Sequence, residues 1–177
     1  MYKICKTEQS ASRQRELELG LLALMTEKRY DEISVSDLCQ RLDIPRKAFY
    51  RYFSCKDGAL QALIDHTLME YDTIVENRLD LIGFFQFWLR QKPLLEAIER
   101  NNLYSIFLAR IIDYTIREEH IITRDKTFKM DFILCGLMSM VLSWFRSGFK
   151  ATPLEMARSA RRILTTPLIT DNPLPEL

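Results

Sequence analysis

Leu17, Leu21, Leu22, Leu24 and Met25 recur at the steps that put one apolar face on an α-helix, which predicts a first helix over residues 12–26. The polar run 28–32 interrupts it. Ser34, followed three residues later by Asp37, carries the capping-box signature of a second helix, whose apolar pair is Leu38 and Leu42. Asp43 falls where the chain must reverse, and Asp tolerates left-handed backbone better than most residues. Pro45 suits the first turn of a third helix, where its missing N–H costs nothing. A fourth, longer helix begins at Asp57-Gly58 and runs through Leu60, Leu63, Ile64, Thr67, Leu68, Tyr71 and Val75 to near Arg78. Twenty helical residues span about 30 Å, enough to lead from one domain into another. Further helices are predicted over 81–91, 94–100, 103–119, 127–147 and 154–164, with breaks at Pro93, Asn101-Asn102, Arg124-Asp125 and Thr152-Pro153. The tail from Pro167 lacks apolar periodicity and is expected to fray. The pattern gives an all-α fold of about nine helices, with a small domain over 1–56 and a larger one over 57–177.

Charge changes this picture locally. Net charge is only +1, yet residues 1–56 hold 11 Lys/Arg against 8 Asp/Glu, while 57–177 hold 14 against 16. Residues 45–56 contain Arg46, Lys47, Arg51 and Lys56, interleaved with Phe49, Tyr50, Tyr52 and Phe53 and with no acid. Two short helices joined by a tight turn, the second basic and aromatic, are what a helix-turn-helix needs to enter a DNA major groove. Phe49 and Phe53, four apart, face inward against Leu38 and Leu42 on this reading. Arg46 and Lys47 lie where a recognition helix approaches base edges, with Ser36 on the preceding helix as a further candidate contact. Tyr50 and Arg51 follow one turn later, the Tyr50 hydroxyl within reach of a backbone phosphate. Lys56 precedes the fourth helix, so its charge adds to that helix N-terminus in holding a phosphate. Read by charge alone, the same segment is more readily an amphipathic helix with a solvated basic face.

The order of residues separates the two readings. Ser34-Val35 to Leu38-Cys39, then Leu42-Asp43-Ile44, then Phe49-Tyr50-Arg51-Tyr52-Phe53 and Lys56-Asp57 closely resembles the N-terminal DNA-binding domain of TetR/AcrR-family transcriptional regulators. The motif covers about residues 12–60; the remainder agrees in length and helix count. The chain departs from the family at Asp43, where Gly is usual, at Lys47-Ala48, where small residues are usual, and at Cys55, which replaces a serine. The resemblance implies a homodimer on a palindromic, double-stranded DNA operator, with a C-terminal domain that binds a small molecule and thereby releases DNA.

Candidate parts for that second domain are present. Phe84, Phe85, Phe87 and Trp88 make the fifth helix apolar nearly all round, and Tyr104, Phe107, Ile111 and Tyr114 form a helical stripe. Trp88, Tyr104, Phe107 and Tyr114 are candidate walls of a pocket for an apolar or aromatic effector, with plain core as the alternative. Asp113 and Glu99 are candidate partners of a cationic ligand or solvated surface. Gly136, Ser139, Ser143 and Ser147 form a stripe of small residues that lets two helices approach closely. With Leu154, Ala157 and Arg161 it is a candidate dimer interface, or a close contact within one subunit.

Other chemistry is sparse. Cys5, Cys39, Cys55 and Cys135 show no C-x-x-C spacing, and His66 and His120 are far apart, so neither a disulfide framework nor a metal site is expected. No catalytic Ser/His/Asp set, phosphate loop or H-E-x-x-H is found, and no cofactor is implied. No signal-peptide stretch and no run of 18 apolar residues occurs, which predicts a soluble, cytoplasmic protein without membrane contact. A redox-sensing DNA-binding regulator using Cys55 or Cys39 is the alternative function, because Arg51 and Lys56 near Cys55 favour a thiolate.

Overall fold

The computed structural model describes residues 2, 5, 7–74, 80–118 and 124–166. The described residues form nine α-helices and no β-sheet. The expected end of the fourth helix near Arg78 and the expected frayed tail beyond 166 lie outside the described residues.

Helix α1 (Glu8–Glu27) starts four residues earlier than its apolar pattern does, because the Thr7 hydroxyl caps the amide of Ser10 at 3.3 Å and Glu8 sits in the first turn. A short 3-10 turn, Tyr30–Glu32, leads to α2 (Val35–Arg41). The capping box at its start is complete. The Ser34 hydroxyl accepts from the Asp37 amide at 3.1 Å, and the Asp37 carboxylate accepts from the Ser34 amide at 2.6 Å. Asp43 has φ of 50°, so the reversal occurs in the left-handed region without the usual glycine. The glycine is used elsewhere: a Cβ on Gly20 would lie 2.9 Å from Leu42 Cδ1, so the end of α2 packs directly on the α1 backbone.

Helix α3 (Arg46–Tyr50) is shorter than the basic stretch that predicts it. It closes early because the amides of Tyr52 and Phe53 both turn back to the Phe49 carbonyl, at 3.0 and 3.1 Å. Helix α4 (Lys56–Ile74) then crosses to the second half of the molecule. There α5 (Leu81–Arg90), α6 (Lys92–Arg100), α7 (Tyr104–Glu118), α8 (Arg124–Arg146) and α9 (Pro153–Thr165) complete the fold. A second capping box, Thr152 with Glu155, opens α9.

One continuous apolar core runs through both halves, from Leu17 and Leu21 through Phe53 and Leu63 to Trp88 and Phe107. Each such side chain, fully buried, contributes about 1.5–3 kcal/mol of transfer free energy. Helix α5 lies along α9, and the buried Ala157 and Ala160 let the two helices approach. Helix α1 packs on α4 and also on α6, so the three-helix head is seated on the body as well as joined to it by α4.

Candidate DNA-binding face and the interior of the C-terminal half

The head sorts its aromatics by burial. Phe49 and Phe53 are fully buried with ring centroids 5.3 Å apart, and Tyr52 is buried beside them. The positive φ at Asp43 and the extended Pro45 aim α3 so that its opposite face is open. On that face Arg46, Lys47, Tyr50 and Arg51 are exposed, and Ser36 on α2 is exposed as well. The Arg46 guanidinium lies 6.0 Å from the centre of the Tyr50 ring and 3.4 Å from its hydroxyl, so the two side chains stand together. Five of the six residues expected to contact DNA thus present polar groups to solvent from one small module.

Lys56 is the exception. Its ammonium donates to the carbonyls of Tyr30 and Ile33, the latter at 2.7 Å, and lies 4.2 Å from the centre of the Tyr30 ring. Through these carbonyls Lys56 ties the start of α4 to the connection between α1 and α2. Tyr30 itself donates to Asp57 at 2.6 Å, and burial, then that bond, push its phenol far above the usual value. No sequence signal marks this inward turn, because the two carbonyls belong to residues more than twenty positions away.

The seam between head and body is polar and sequence reasoning missed it. Asn101, at the end of α6, accepts from the Tyr30 amide at 2.5 Å and donates to the carbonyls of Met25 at 3.2 Å and Ala97 at 2.8 Å. Arg100 beside it donates to the carbonyls of Thr26 and Glu27. These are the carbonyls that the last turn of α1 leaves without helical partners. Further along α1, Glu18 is fully buried, with Arg15 at 3.0 Å and His66 of α4 at 2.8 Å. Asp65 of α4, also buried, accepts from the Tyr2 hydroxyl at 2.5 Å and from Arg110 of α7 at 3.0 Å.

The residues expected to wall an effector pocket differ in their surroundings. Trp88 and Phe107 are buried and meet edge to face at 5.6 Å, within an aromatic chain that runs on through Phe84 and Phe85 to Trp144. The Tyr114 hydroxyl donates to Asp72 at 2.7 Å. Tyr104 lies under the Arg146 guanidinium at 4.9 Å, and its buried hydroxyl has no hydrogen-bond partner among the described residues. Glu99 pairs with Arg146 at 2.9 Å and Asp113 with Arg110 at 3.5 Å, so both acids are engaged by cations of this chain. Two surface grooves lie elsewhere. One of about 380 Å³ runs between α1 and the turn after α2, and one of about 420 Å³ between α5 and α9.

The small-residue stripe divides differently from its expected grouping. Gly136, Ser139, Ser143 and Ser147 are all exposed, and a Cβ on Gly136 would meet nothing within 4 Å. Phe132, one turn before Gly136, extends the same face and is 65% exposed. On α9, Leu154 and Arg161 are exposed, but Ala157 is covered by α5 of the same chain. Ala157 therefore serves the contact within one subunit.

Of the two cysteines considered as sensors, Cys39 is buried, and burial pushes its thiol up despite the opposing charge of Arg46. That correction leaves Cys55, which is exposed. No helix of the described residues is long and apolar enough to cross a membrane.

Comparison with known proteins gives a consistent answer. Residues 96–166 match a TetR-type family model described as "Transcriptional regulator C-terminal region". No curated protein matches the sequence. Among solved structures, the chain is similar to the "Dihydroxyacetone kinase operon activator DhaS", with a TM-score of 0.56 and 18% identity over 86% of this chain and 93% of that one. At that identity the likeness speaks for the fold. With the helix-turn-helix head preceding the matched C-terminal region, the comparisons support a TetR-type transcriptional regulator rather than an enzyme.

Proposed function

We propose that the protein is a cytoplasmic, ligand-responsive repressor that binds a palindromic operator as a homodimer. The observation that carries the DNA-binding part is the exposed group Arg46, Lys47, Tyr50 and Arg51 above a fully buried Phe49–Phe53 pair. A rigid aromatic underside fixes the direction of the polar upper side, which is what base reading requires. Arg46 and Lys47 read base edges; Tyr50, Arg51 and Ser36 hold phosphates. Lys56 keeps the head together from beneath, a role its two carbonyl partners support better than the phosphate contact read from the sequence.

Dimerisation follows from the same economy. One head makes few contacts, and two heads on a two-fold axis read half-sites about 34–36 Å apart. The exposed face of α8 from Phe132 to Ser143, together with Leu154 and Arg161, supports that pairing, because a face of small residues and one large aromatic lets two α8 helices close on each other. An apolar or aromatic effector that binds the released geometry better than the bound one would lower operator affinity by that difference.

Operator selection from a random duplex pool, followed by fluorescence anisotropy, tests the reading. Sub-micromolar binding that weakens steeply with salt is expected. Lys47→Ala is expected to change the selected sequence, and Tyr50→Phe to weaken all sites alike. Salt-independent binding, or none in the micromolar range, removes the DNA-binding role. The likeness to a protein named as an operon activator makes the sign of regulation a separate question, which a reporter behind the selected operator answers. The exposed Cys55 keeps one competing reading open to test: operator affinity unchanged by peroxide removes redox sensing.

A further inference from the structure

Tyr2 belongs to no helix, yet it touches both ends of the molecule's working parts. Its backbone forms an isolated antiparallel bridge with Phe53, at the close of the turn that follows α3. Its hydroxyl donates to the Asp65 carboxylate of α4 at 2.5 Å, and its ring meets His66 edge to face at 6.2 Å. Asp65 is only 2% exposed and receives a second, two-pronged set of hydrogen bonds from Nε and Nη2 of Arg110 on α7. Cys5 continues the attachment by donating to the buried Gln14 of α1 at 2.7 Å. The recognition module and a body helix are thus joined through one buried carboxylate and one tyrosine.

We propose that Tyr2 is a strap that couples the position of α7 to the order of the recognition module, with Asp65 as the buckle. A buried carboxylate must keep its partners, because an unpaired charge in low dielectric either draws in water or takes up a proton. Either response weakens Asp65 as an acceptor for the Tyr2 hydroxyl. Displacement of α7 that withdraws Arg110 therefore loosens Tyr2, and with it the bridge that pins Phe53. The same route runs backwards: freeing the head from its fixed orientation removes Tyr2 from Asp65 and loosens the hold of α4 on α7. The coupling depends on neither the operator nor the effector, and it gives the second domain a path to α3 besides the length of α4.

Amide hydrogen exchange on the full chain, without DNA, tests it. Tyr2→Phe keeps the ring and removes only the hydroxyl; Arg110→Gln removes the distant partner. Each is expected to speed exchange at the Tyr52 and Phe53 amides about tenfold, the loss of one charge-assisted hydrogen bond. The double variant is expected to match the single variants, because both cut the same link. Arg110→Gln effects confined to α4 and α7, or single effects that multiply in the double variant, would overturn the strap. Should Arg110→Gln not fold, Asp65→Asn, which keeps the shape of the buckle and removes its charge, carries the same comparison. Since no DNA is present, a negative result here leaves the proposed repressor role standing, and the reverse holds as well.

Discussion

Asn101→Ala isolates the joint between head and body with one small change. The Asn101 side chain serves the Tyr30 amide, the Met25 carbonyl and the Ala97 carbonyl. Ala97 keeps a partner in the variant, because the Asn101 backbone amide also donates to it at 3.2 Å. Two groups are then left unserved: the Tyr30 N–H and a carbonyl in the last turn of α1. Each half-buried orphan costs about 1–1.5 kcal/mol, so the expected loss of stability is about 2–3 kcal/mol. For a chain of this length, that lowers the melting temperature by roughly 5–10 °C. Thermal and urea unfolding followed by far-ultraviolet circular dichroism measure it. Asn101→Asp sharpens the test, since it keeps the acceptor for Tyr30 but sets a negative charge against two carbonyls; it is expected to be no more stable than the alanine variant. A loss below about 0.5 kcal/mol for Asn101→Ala would place it among ordinary surface changes and refute the joint as a stabilising element.

Three further outcomes follow from single residues. Phe53→Ala removes a fully buried ring from beneath the exposed face of α3 and is expected to cost about 3–5 kcal/mol in urea unfolding, with loss of the proposed operator binding. Gly148→Ala meets no steric obstacle, but the residue sits at φ of 74° in the turn that ends α8; the left-handed backbone alone is expected to cost about 1 kcal/mol by the same assay. Asp37 is held well below the usual carboxylate range, first by the Ser34 hydroxyl, then by the Ser34 amide and Lys28. A depressed folded value means stability that is present above about pH 4 and is lost as pH falls further, and Asp37→Asn is expected to flatten that acid limb in a pH series of unfolding curves.

The outcomes separate by the range over which each residue acts. The capping boxes at Ser34–Asp37 and Thr152–Glu155 act across three residues, and the first could be named from its letters alone. Asp43 in a left-handed turn and the inward Phe49–Phe53 pair were legible for the same reason. Phe132 shows where local reading stops. Its letter is that of a core residue, and only the placement of α8 against α7 and α5 leaves it outside.

The sequence by itself determined that this is an all-helical protein with a basic, aromatic helix-turn-helix at its front, because those properties rest on periods of three and four residues and on local charge. Tertiary structure decided how that head is held. Lys56 turns to carbonyls of Tyr30 and Ile33, Asn101 reaches 71 positions back to Tyr30, and Asp65 gathers Tyr2 and Arg110 from 63 and 45 positions away. Each of these polar groups, once packed away from water, must find partners among whatever the fold brings near, and the spacing of letters carries no record of that choice.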